Sequence, residues 1–214
     1  MQDPATADRD VARASLERLR ALGDGIFAFA MTLLVLDVRL PAGGGALTNA
    51  SLLDALQGLL PAIGACTLSF LVLCMYWIAH HNTFLVVVRS SRTLVALTML
   101  FLLCVAFVPF AASVLARAPR LPLAIVAYGA VLTATSLVLL ALVQYALGHG
   151  RLAQPSPQLE ALRQAATRRL LAPVALYVVS MAMSTWQPTV SLLVYLLLPL
   201  VYLLPSQVDH WAGA

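Results

Sequence analysis

The apolar segments of this sequence are long enough to cross a membrane, which restricts the chain to folds that a bilayer permits. Breaking the chain at charges, proline and glycine gives six segments, about 24–40, 52–88, 93–116, 121–147, 162–185 and 189–206. The stretch from Leu52 to Ile78 alone has 27 residues, more than the ~20 that a spanning helix needs. Only 10% of the residues are charged, against roughly 25% in soluble domains. We predict an all-α membrane protein in which residues 1–214 form one domain of six transmembrane helices.

The distribution of arginine predicts the orientation, because short cytoplasmic loops carry an excess of positive charge. All 13 basic residues are arginine. If the N-terminus is inside, the inside set is Arg9, Arg13, Arg18, Arg20, Arg89, Arg92, Arg151, Arg163, Arg168 and Arg169, and the outside set is Arg39, Arg117 and Arg120. We therefore expect a multi-pass protein of the cell membrane with both termini cytoplasmic and a cytoplasmic linker at 148–161.

The segments lack the chemistry of an enzyme. Their middles carry hydroxyls and amides but no nucleophile with a base and no carboxylate or histidine set that could hold a metal. The three cysteines fall inside apolar runs without a CxxC pair, so we predict no metal site, no cofactor and no disulfide. The dispersed arginines do not suggest a nucleic-acid partner. Passive conduction or a structural bundle remains, with a proton-linked transporter that uses Asp24 and the histidines as a lesser alternative.

The first segment is unusual because an acid stands at each end of it. Twelve uncharged residues, 25–36, separate Asp24 from Asp37, and as a helix they cover about 18 Å of a bilayer core of about 30 Å. One helical face of the segment carries an apolar stripe with Thr32 alongside. The stripe consists of Ile26, Phe29, Leu33 and Leu36. Such a stripe is typical of an ordinary core face, and around a symmetry axis it would also form the apolar rings that gate a pore.

The acid at the inner end of this segment needs hydrogen-bond donors. Arg20 lies four residues before Asp24 and can pair with it on a helix. The segment YWIAHHNTF at 76–84 lies at a comparable depth and offers further donors, among them Trp77 and either His80 or His81 on one helical face. We expect Asp24 to bond to a neighbouring helix.

These residues resemble the first-helix signature of the transmembrane protein 175 family, the relatives of the lysosomal potassium channel. That signature is an Arg, three residues and Phe-Ser-Asp, followed by an apolar helix that ends in a Thr-Leu-Leu-Val-Leu-acid run. Here Arg18 is followed after three residues by LGD at 22–24, and TLLVLD stands at 32–37. The resemblance continues through YWIAHHNTF and through VPF at 108–110, and the six-segment layout covers the whole chain.

The resemblance implies a potassium-selective leak channel, a homotetramer in the lipid bilayer whose first helices line a central pore. It implies that Phe29 forms the narrowest constriction, with Leu33 and Leu36 as the next rings outward and Ile26 continuing the stripe inward. Thr32 would be the residue tied to selectivity. A TVGYG filter is not part of this family's pattern, and the sequence contains none. The signature residues that brace the pore helix would be Arg18, Asp24, Trp77 and His80.

Two departures from the family pattern bear on conduction. The usual Phe-Ser pair is replaced by Leu22 and Gly23, which removes an aromatic ring and a hydroxyl from the bracing network. The constriction is usually Ile or Leu, and the bulkier Phe29 could seal a fourfold pore unless its ring rotates aside. A non-conducting, channel-like membrane protein is therefore the main alternative to a leak channel.

Overall fold

The computed structural model describes residues 4–40, 48–148, 152–154 and 159–203, with side chains from residue 13 to residue 200 of these ranges. The described residues form seven helices, which are α1 (Pro4–Leu36), α2 (Asn49–Gly58), α3 (Leu60–Val86), α4 (Arg92–Arg117), α5 (Pro122–Gly148), α6 (Leu159–Met183) and α7 (Pro188–Leu203). One isolated β-bridge joins Val87 to Ala153. The predicted all-helical class is confirmed.

Five of the helices, α1 and α3 to α6, are long and apolar enough to cross a membrane. Helix α7 is apolar but has 16 residues, about 24 Å of helix against a hydrocarbon core of about 30 Å. Residues 204–206, the end of the sixth predicted segment, lie outside the described residues. The chain is a multi-pass membrane protein.

The first helix is longer than the apolar segment that it contains. Helix α1 begins at Pro4 and ends at Leu36, whereas the predicted segment runs from 24 to 40. The added N-terminal part, which contains ARASLERLRA at 12–21, is rich in alanine, arginine, leucine and glutamate. These residues have high helix propensity whether or not lipid surrounds them, so the helix continues past the end of the apolar stretch.

The second predicted segment, 52–88, is two helices. Helix α2 starts with a capping box between Thr48 and Ser51 and ends at Gly58. Helix α3 then starts with Pro61 in its first turn. Because proline has no N–H, it cannot donate the bond that would carry α2 through this point, whereas the first turn of a new helix needs no such donor. The described residues therefore form seven helices because the second predicted segment contains both α2 and α3.

The helices pack around α5 and α3. Helix α5 lies between α4 and α6, α1 packs on α4 and α3, and α7 packs on α6 and α3. Four tyrosines from four helices are fully buried where these elements meet. They are Tyr76 on α3, Tyr128 on α5, Tyr177 on α6 and Tyr195 on α7. Their rings make edge and tilted contacts, with the Tyr177 and Tyr195 centroids 5.7 Å apart and those of Tyr128 and Tyr195 5.6 Å apart.

Hydrogen bonds from the tyrosine hydroxyls tie the helices together. The Tyr76 hydroxyl donates to the Leu132 carbonyl oxygen over 2.8 Å, and the Tyr128 hydroxyl lies 3.0 Å from Ser69 Oγ. A buried hydroxyl needs such partners, because a hydroxyl without a hydrogen bond lowers the stability of the fold. These bonds fix α3 against α5 and so hold in place the surface on which α1 packs.

The approach of α7 to α5 depends on a glycine. A Cβ built on Gly129 would lie 2.2 Å from the Tyr195 hydroxyl oxygen and 2.7 Å from Met181 Cγ. We predict that Gly129→Ala destabilises the protein by about 1–3 kcal/mol, because the rigid, buried Tyr195 must move. Thermal unfolding in detergent micelles measures this loss.

Gly64→Ala is the matched control, since a Cβ on Gly64 meets no atom within 4 Å. Replacing an unobstructed helical glycine by alanine stabilises by up to about 1 kcal/mol. If the two variants unfolded at the same temperature, the close packing of α5 and α7 would not be the reason for the glycine.

Candidate functional site

Helix α1 buries one narrow stripe of its surface. The buried residues recur at intervals of three or four positions, the spacing that keeps side chains on one helical face. They are Leu16, Leu19, Gly23, Phe27, Ala30 and Leu34. This stripe, which we term the buried seam, packs on α3 and α4 and fixes the rotation of α1 about its own axis.

The opposite side of α1 carries a second stripe that no other described residue covers. Its members recur at intervals of three, four, three and four residues, as in the seam of a coiled coil. They are Leu22, Gly25, Phe29, Thr32 and Leu36. We term this stripe the open seam. The Phe29 side chain is 65% exposed and that of Leu36 is 56% exposed, so these two predicted site residues lie on the open face of the helix.

The two other residues of the predicted stripe lie at its edge. Ile26 and Leu33 are half-buried, and Ile26 packs against the core. Leu22, which the predicted stripe did not include, is 43% exposed and lies one heptad before Phe29. The heptad spacing from 22 to 29 to 36 is the sequence signal that identifies it.

Thr32 is held against its own helix. Its hydroxyl Oγ1 donates to the Phe29 carbonyl oxygen over 2.8 Å, three residues back. A hydroxyl that donates this bond keeps its own lone pairs as acceptors. Thr32 is exposed, and it adds the one polar side chain of the open seam.

Asp24 and Trp77 link α1 to α3. The Trp77 indole Nε1 donates to Asp24 Oδ1 over 2.8 Å, and the indole also stacks on His81 with ring centroids 5.1 Å apart. Both helices are therefore joined by a charge-assisted hydrogen bond at the level where the apolar part of α1 begins.

His80 is buried in an aromatic cage beneath α1. Its ring lies 4.6 Å from Phe84 and 5.5 Å from Phe101, on which it stacks. A Cβ built on Gly23 would lie 3.1 Å from His80 Cε1, tighter than a comfortable contact, so the glycine lets the imidazole approach the α1 backbone. The His80 Nε2 atom is buried without a hydrogen-bond partner among the described residues.

Of the two arginines near Asp24, Arg20 is the one that contacts α3. Its Nη2 donates to the Phe84 carbonyl oxygen, and no ion pair joins Arg20 to Asp24 in the described part of the chain. Arg18 is exposed and contacts no acceptor among the described residues. The structure thus brings Asp24, Trp77 and His80 to the same α1–α3 contact but leaves Arg18 outside it.

Two cavities show which helix ends lie together at each end of the bundle. Asp37, at the end of α1, lies in a small cavity with residues from the start of α3 and the end of α4, among them Ala62 and Ala116. At the opposite end, the N-terminal part of α1 lies beside the end of α3 and Gln154. Consecutive spans therefore run antiparallel, as a chain that crosses a membrane repeatedly requires.

Comparison with known proteins identifies the family of this chain. A sequence profile described as endosomal/lysosomal potassium channel TMEM175 matches residues 18–109. A potassium channel of Streptomyces collinus is 36% identical over an alignment of 152 residues that covers 68% of this chain and 71% of the relative. The chain belongs to the TMEM175 family.

Further members of the TMEM175 family agree with this assignment. A potassium channel of Chamaesiphon minutus is 32% identical over 171 residues, covering 78% of this chain and 83% of that protein. A crystal structure of a lysosomal potassium-selective channel TMEM175 homolog from the same organism superposes with a TM-score of 0.77 at 27% identity, over 88% of this chain and 96% of the other. The resemblance seen in the sequence is confirmed.

The bond between Trp77 and Asp24 is expected to stabilise the contact of α1 with α3. We predict that a double-mutant cycle of Trp77→Phe and Asp24→Leu gives a coupling free energy of about 1 kcal/mol, the value of one hydrogen bond to a charged but exposed group. Thermal unfolding in detergent supplies the four stabilities.

The control cycle replaces Trp77→Phe with Trp186→Phe, since Trp186 is 79% exposed and contacts no hydrogen-bond acceptor among the described residues. Its coupling to Asp24→Leu should be zero. Equal coupling in both cycles would show that the effect belongs to loss of the indole and not to this bond.

Proposed function

We propose that the protein is a potassium-selective leak channel, a homotetramer in which four copies of α1 line a central pore. Membership of the TMEM175 family and the potassium channels named among its relatives support this activity. The channel needs no enzyme chemistry and no cofactor, and potassium is the permeant ion. The proposed partners of each subunit are its three identical copies and the lipid bilayer around the tetramer.

The open seam of α1 is the observation that carries the proposal. A three-four spacing of exposed residues on a helix is the pattern with which identical helices face one another, and a closed ring of identical copies presents the same face to its axis from each subunit. Gly25 in the seam, with Ala21 and Ala28 beside it, is small enough to let neighbouring helices approach closely in lipid. The opposite seam of α1 is occupied by its own chain, so the open seam is the face available for assembly.

Phe29 is the proposed constriction. It is the largest side chain of the open seam and 65% exposed, so four copies would place four phenyl rings around one axis. An apolar ring of this kind blocks ions by excluding water. Leu33 and Leu36 are the proposed next rings outward, about 6 and 10 Å along the helix, and Ile26 and Leu22 are the proposed lining on the inner side.

Thr32 is the proposed selectivity residue. Oxygen ligands that replace the water around a potassium ion distinguish it from sodium, and Thr32 supplies the one side-chain oxygen of the open seam. The hydrogen bond to the Phe29 carbonyl holds this hydroxyl in a fixed position. A fixed oxygen one turn from the constriction suits an ion that has just lost part of its water.

Helix α1 needs contacts that fix its rotation, because the open seam itself packs on no other described helix of the subunit. We assign this role to Asp24, Trp77 and His80, which meet at the contact with α3. Arg18, the first residue of the family signature, is assigned to the same network, to be completed by contacts within the tetramer.

The proposed domain has six spans, with α7 as the sixth. The excess of arginine supports the proposal that both termini and the linker 148–161 lie on the cytoplasmic side of the cell membrane.

Removal of the Phe29 ring tests the constriction. We predict that Phe29→Ala raises potassium flux severalfold in proteoliposomes, because a wider ring admits water and lowers the barrier to the ion. Phe110→Ala is the matched control, since Phe110 on α4 is 66% exposed and lies on no proposed pore face. Unchanged flux in Phe29→Ala, or an equal change in Phe110→Ala, would mean that Phe29 is not the constriction.

The role of the Thr32 hydroxyl in selectivity can be tested with a substitution that keeps the size of the side chain. We predict that Thr32→Val, which keeps the branched shape and loses the hydroxyl, lowers the permeability ratio of potassium to sodium, whereas Thr32→Ser preserves it. Reversal potentials under bi-ionic conditions report this ratio. Equal ratios in the two variants would exclude the hydroxyl as the selective group.

The same reconstitution distinguishes the other readings of the sequence. A proton-linked transporter would show saturable, pH-driven uptake that Asp24→Asn abolishes, whereas a leak channel gives a linear current without a pH gradient. A non-conducting relative would form a folded tetramer without flux, even after the Phe29 ring is removed.

A further inference from the structure

A basic groove lies at the end of the bundle where α3 leaves the apolar region. It has a volume of about 900 Å³, and three arginines line it, Arg13 and Arg20 from α1 and Arg89 from the chain after α3. Among the described residues that line it, Glu17 is the one that is acidic. Three positive charges against one negative charge make the groove a site for an anion.

Two of these arginines have unused donors. Arg13 approaches Glu17 only to 4.0 Å, and their side chains are 83% and 66% exposed, so this pair adds little. The Arg89 side chain contacts no acceptor within the described ranges of the chain. Each guanidinium carries five N–H donors in a fixed fork that fits the oxygens of a phosphate.

The third arginine is already oriented. Arg20 donates from Nη2 to the Phe84 carbonyl oxygen, which holds its guanidinium at the wall of the groove. Its Nε is buried and meets no acceptor among the described residues. A guanidinium that uses one bond for anchoring keeps its other donors for a ligand.

The backbone that carries Arg89 is also fixed. The Val88 N–H donates to the Leu152 carbonyl oxygen over 2.7 Å, and the Arg89 N–H donates to the same oxygen over 3.2 Å. The Gln154 N–H returns a bond to the Val86 carbonyl oxygen over 2.9 Å. The groove is therefore built on paired backbone and not on a free loop.

Apolar side chains place this groove at the level of lipid head groups. Leu85 is 50% exposed and Val88 is 46% exposed, and both line the groove beside the arginines. The spanning part of α3 ends at Val86. A ligand with a phosphate for the arginines and acyl chains for Leu85 and Val88 fits this combination better than a free anion does.

The groove opens on the side of α1 that the proposed pore does not use. Arg20 precedes Phe29 by nine residues, which at about 100° per residue places the two side chains half a helical turn apart. Four copies that meet through the open seam would therefore keep each groove away from the central axis.

We propose that this groove binds the phosphodiester head group of an anionic phospholipid such as phosphatidylglycerol. Basic pockets between spans at the membrane surface recognise such head groups. A zwitterionic head group carries the same phosphate, but its choline cation would face the arginines. The site therefore selects for net negative charge.

Short-chain lipids test the proposal without reference to conduction. Dioctanoyl phosphatidylglycerol and dioctanoyl phosphatidylcholine are titrated into the purified protein in a non-ionic detergent, with binding read by native mass spectrometry and by the rise in unfolding temperature. We predict preferential binding of phosphatidylglycerol, with affinity about fivefold lower for each arginine removed in Arg13→Gln/Arg89→Gln. Arg20 is left intact because it also anchors α1 to α3.

Two further variants make the outcome decisive. Arg117→Gln/Arg120→Gln removes the same charge from exposed residues outside the groove and should leave the affinity unchanged. Glu17→Gln removes the opposing charge and should raise the affinity about fivefold.

Three results would overturn the proposal. One is an equal loss in both arginine pairs, which would indicate general attraction to charge. Another is equal affinity for the two lipids. The third is full competition by inorganic phosphate at a concentration similar to that of the lipid, which would make the groove a site for free phosphate.

Discussion

The two opposite seams of α1 are the constraint on which the rest of the structure depends. One seam must pack on α3 and α4, and the other stays uncovered by the described residues of the chain that carries it. Phe27 and Phe29 show how strict this is, because they stand two residues apart and are 1% and 65% exposed. A rotation of α1 by a few tens of degrees would expose part of the core and bury part of the open seam, so every contact that fixes this rotation also fixes the proposed pore.

The helical class and most spans could be predicted from the sequence, but two boundaries could not. The length of an apolar segment predicts the part of a helix that lies in lipid. It does not predict how far the helix continues into water, as α1 does from Pro4. It also hides the break at Leu59, because leucine and alanine recur on both sides of it. Pro61 was a visible signal of a helix start, yet a proline inside an apolar run is equally compatible with a kinked single helix.

The site was predictable only in part, because helical periodicity alone cannot say which face of α1 is covered. Residue spacing predicts a stripe through Phe29, and it predicts a stripe through Phe27 equally well. The family resemblance favoured Phe29 as the pore-lining residue. The sequence indicated donors for Asp24 in the segment 76–84, and Trp77 supplies one. Spacing also offered Arg20 as a partner for Asp24, but Arg20 donates to the Phe84 carbonyl instead, since a carbonyl on a neighbouring helix leaves no signal in the sequence.

Gly23 and His80 show how a departure from the family signature is accommodated. A hydroxyl at position 23 would offer His80 a partner, whereas the glycine lets the imidazole approach the α1 backbone and leaves its Nε2 without a bond among the described residues. Close packing of His80 on the α1 backbone thus takes the place of a hydrogen bond to a side chain at position 23. A hydrogen bond restrains motion mainly along the line between donor and acceptor, whereas close packing resists rotation in every direction. The aromatic cage of Phe84 and Phe101 can therefore hold the inner end of α1 without the hydroxyl. The position of the open seam then depends on the shape of this cage.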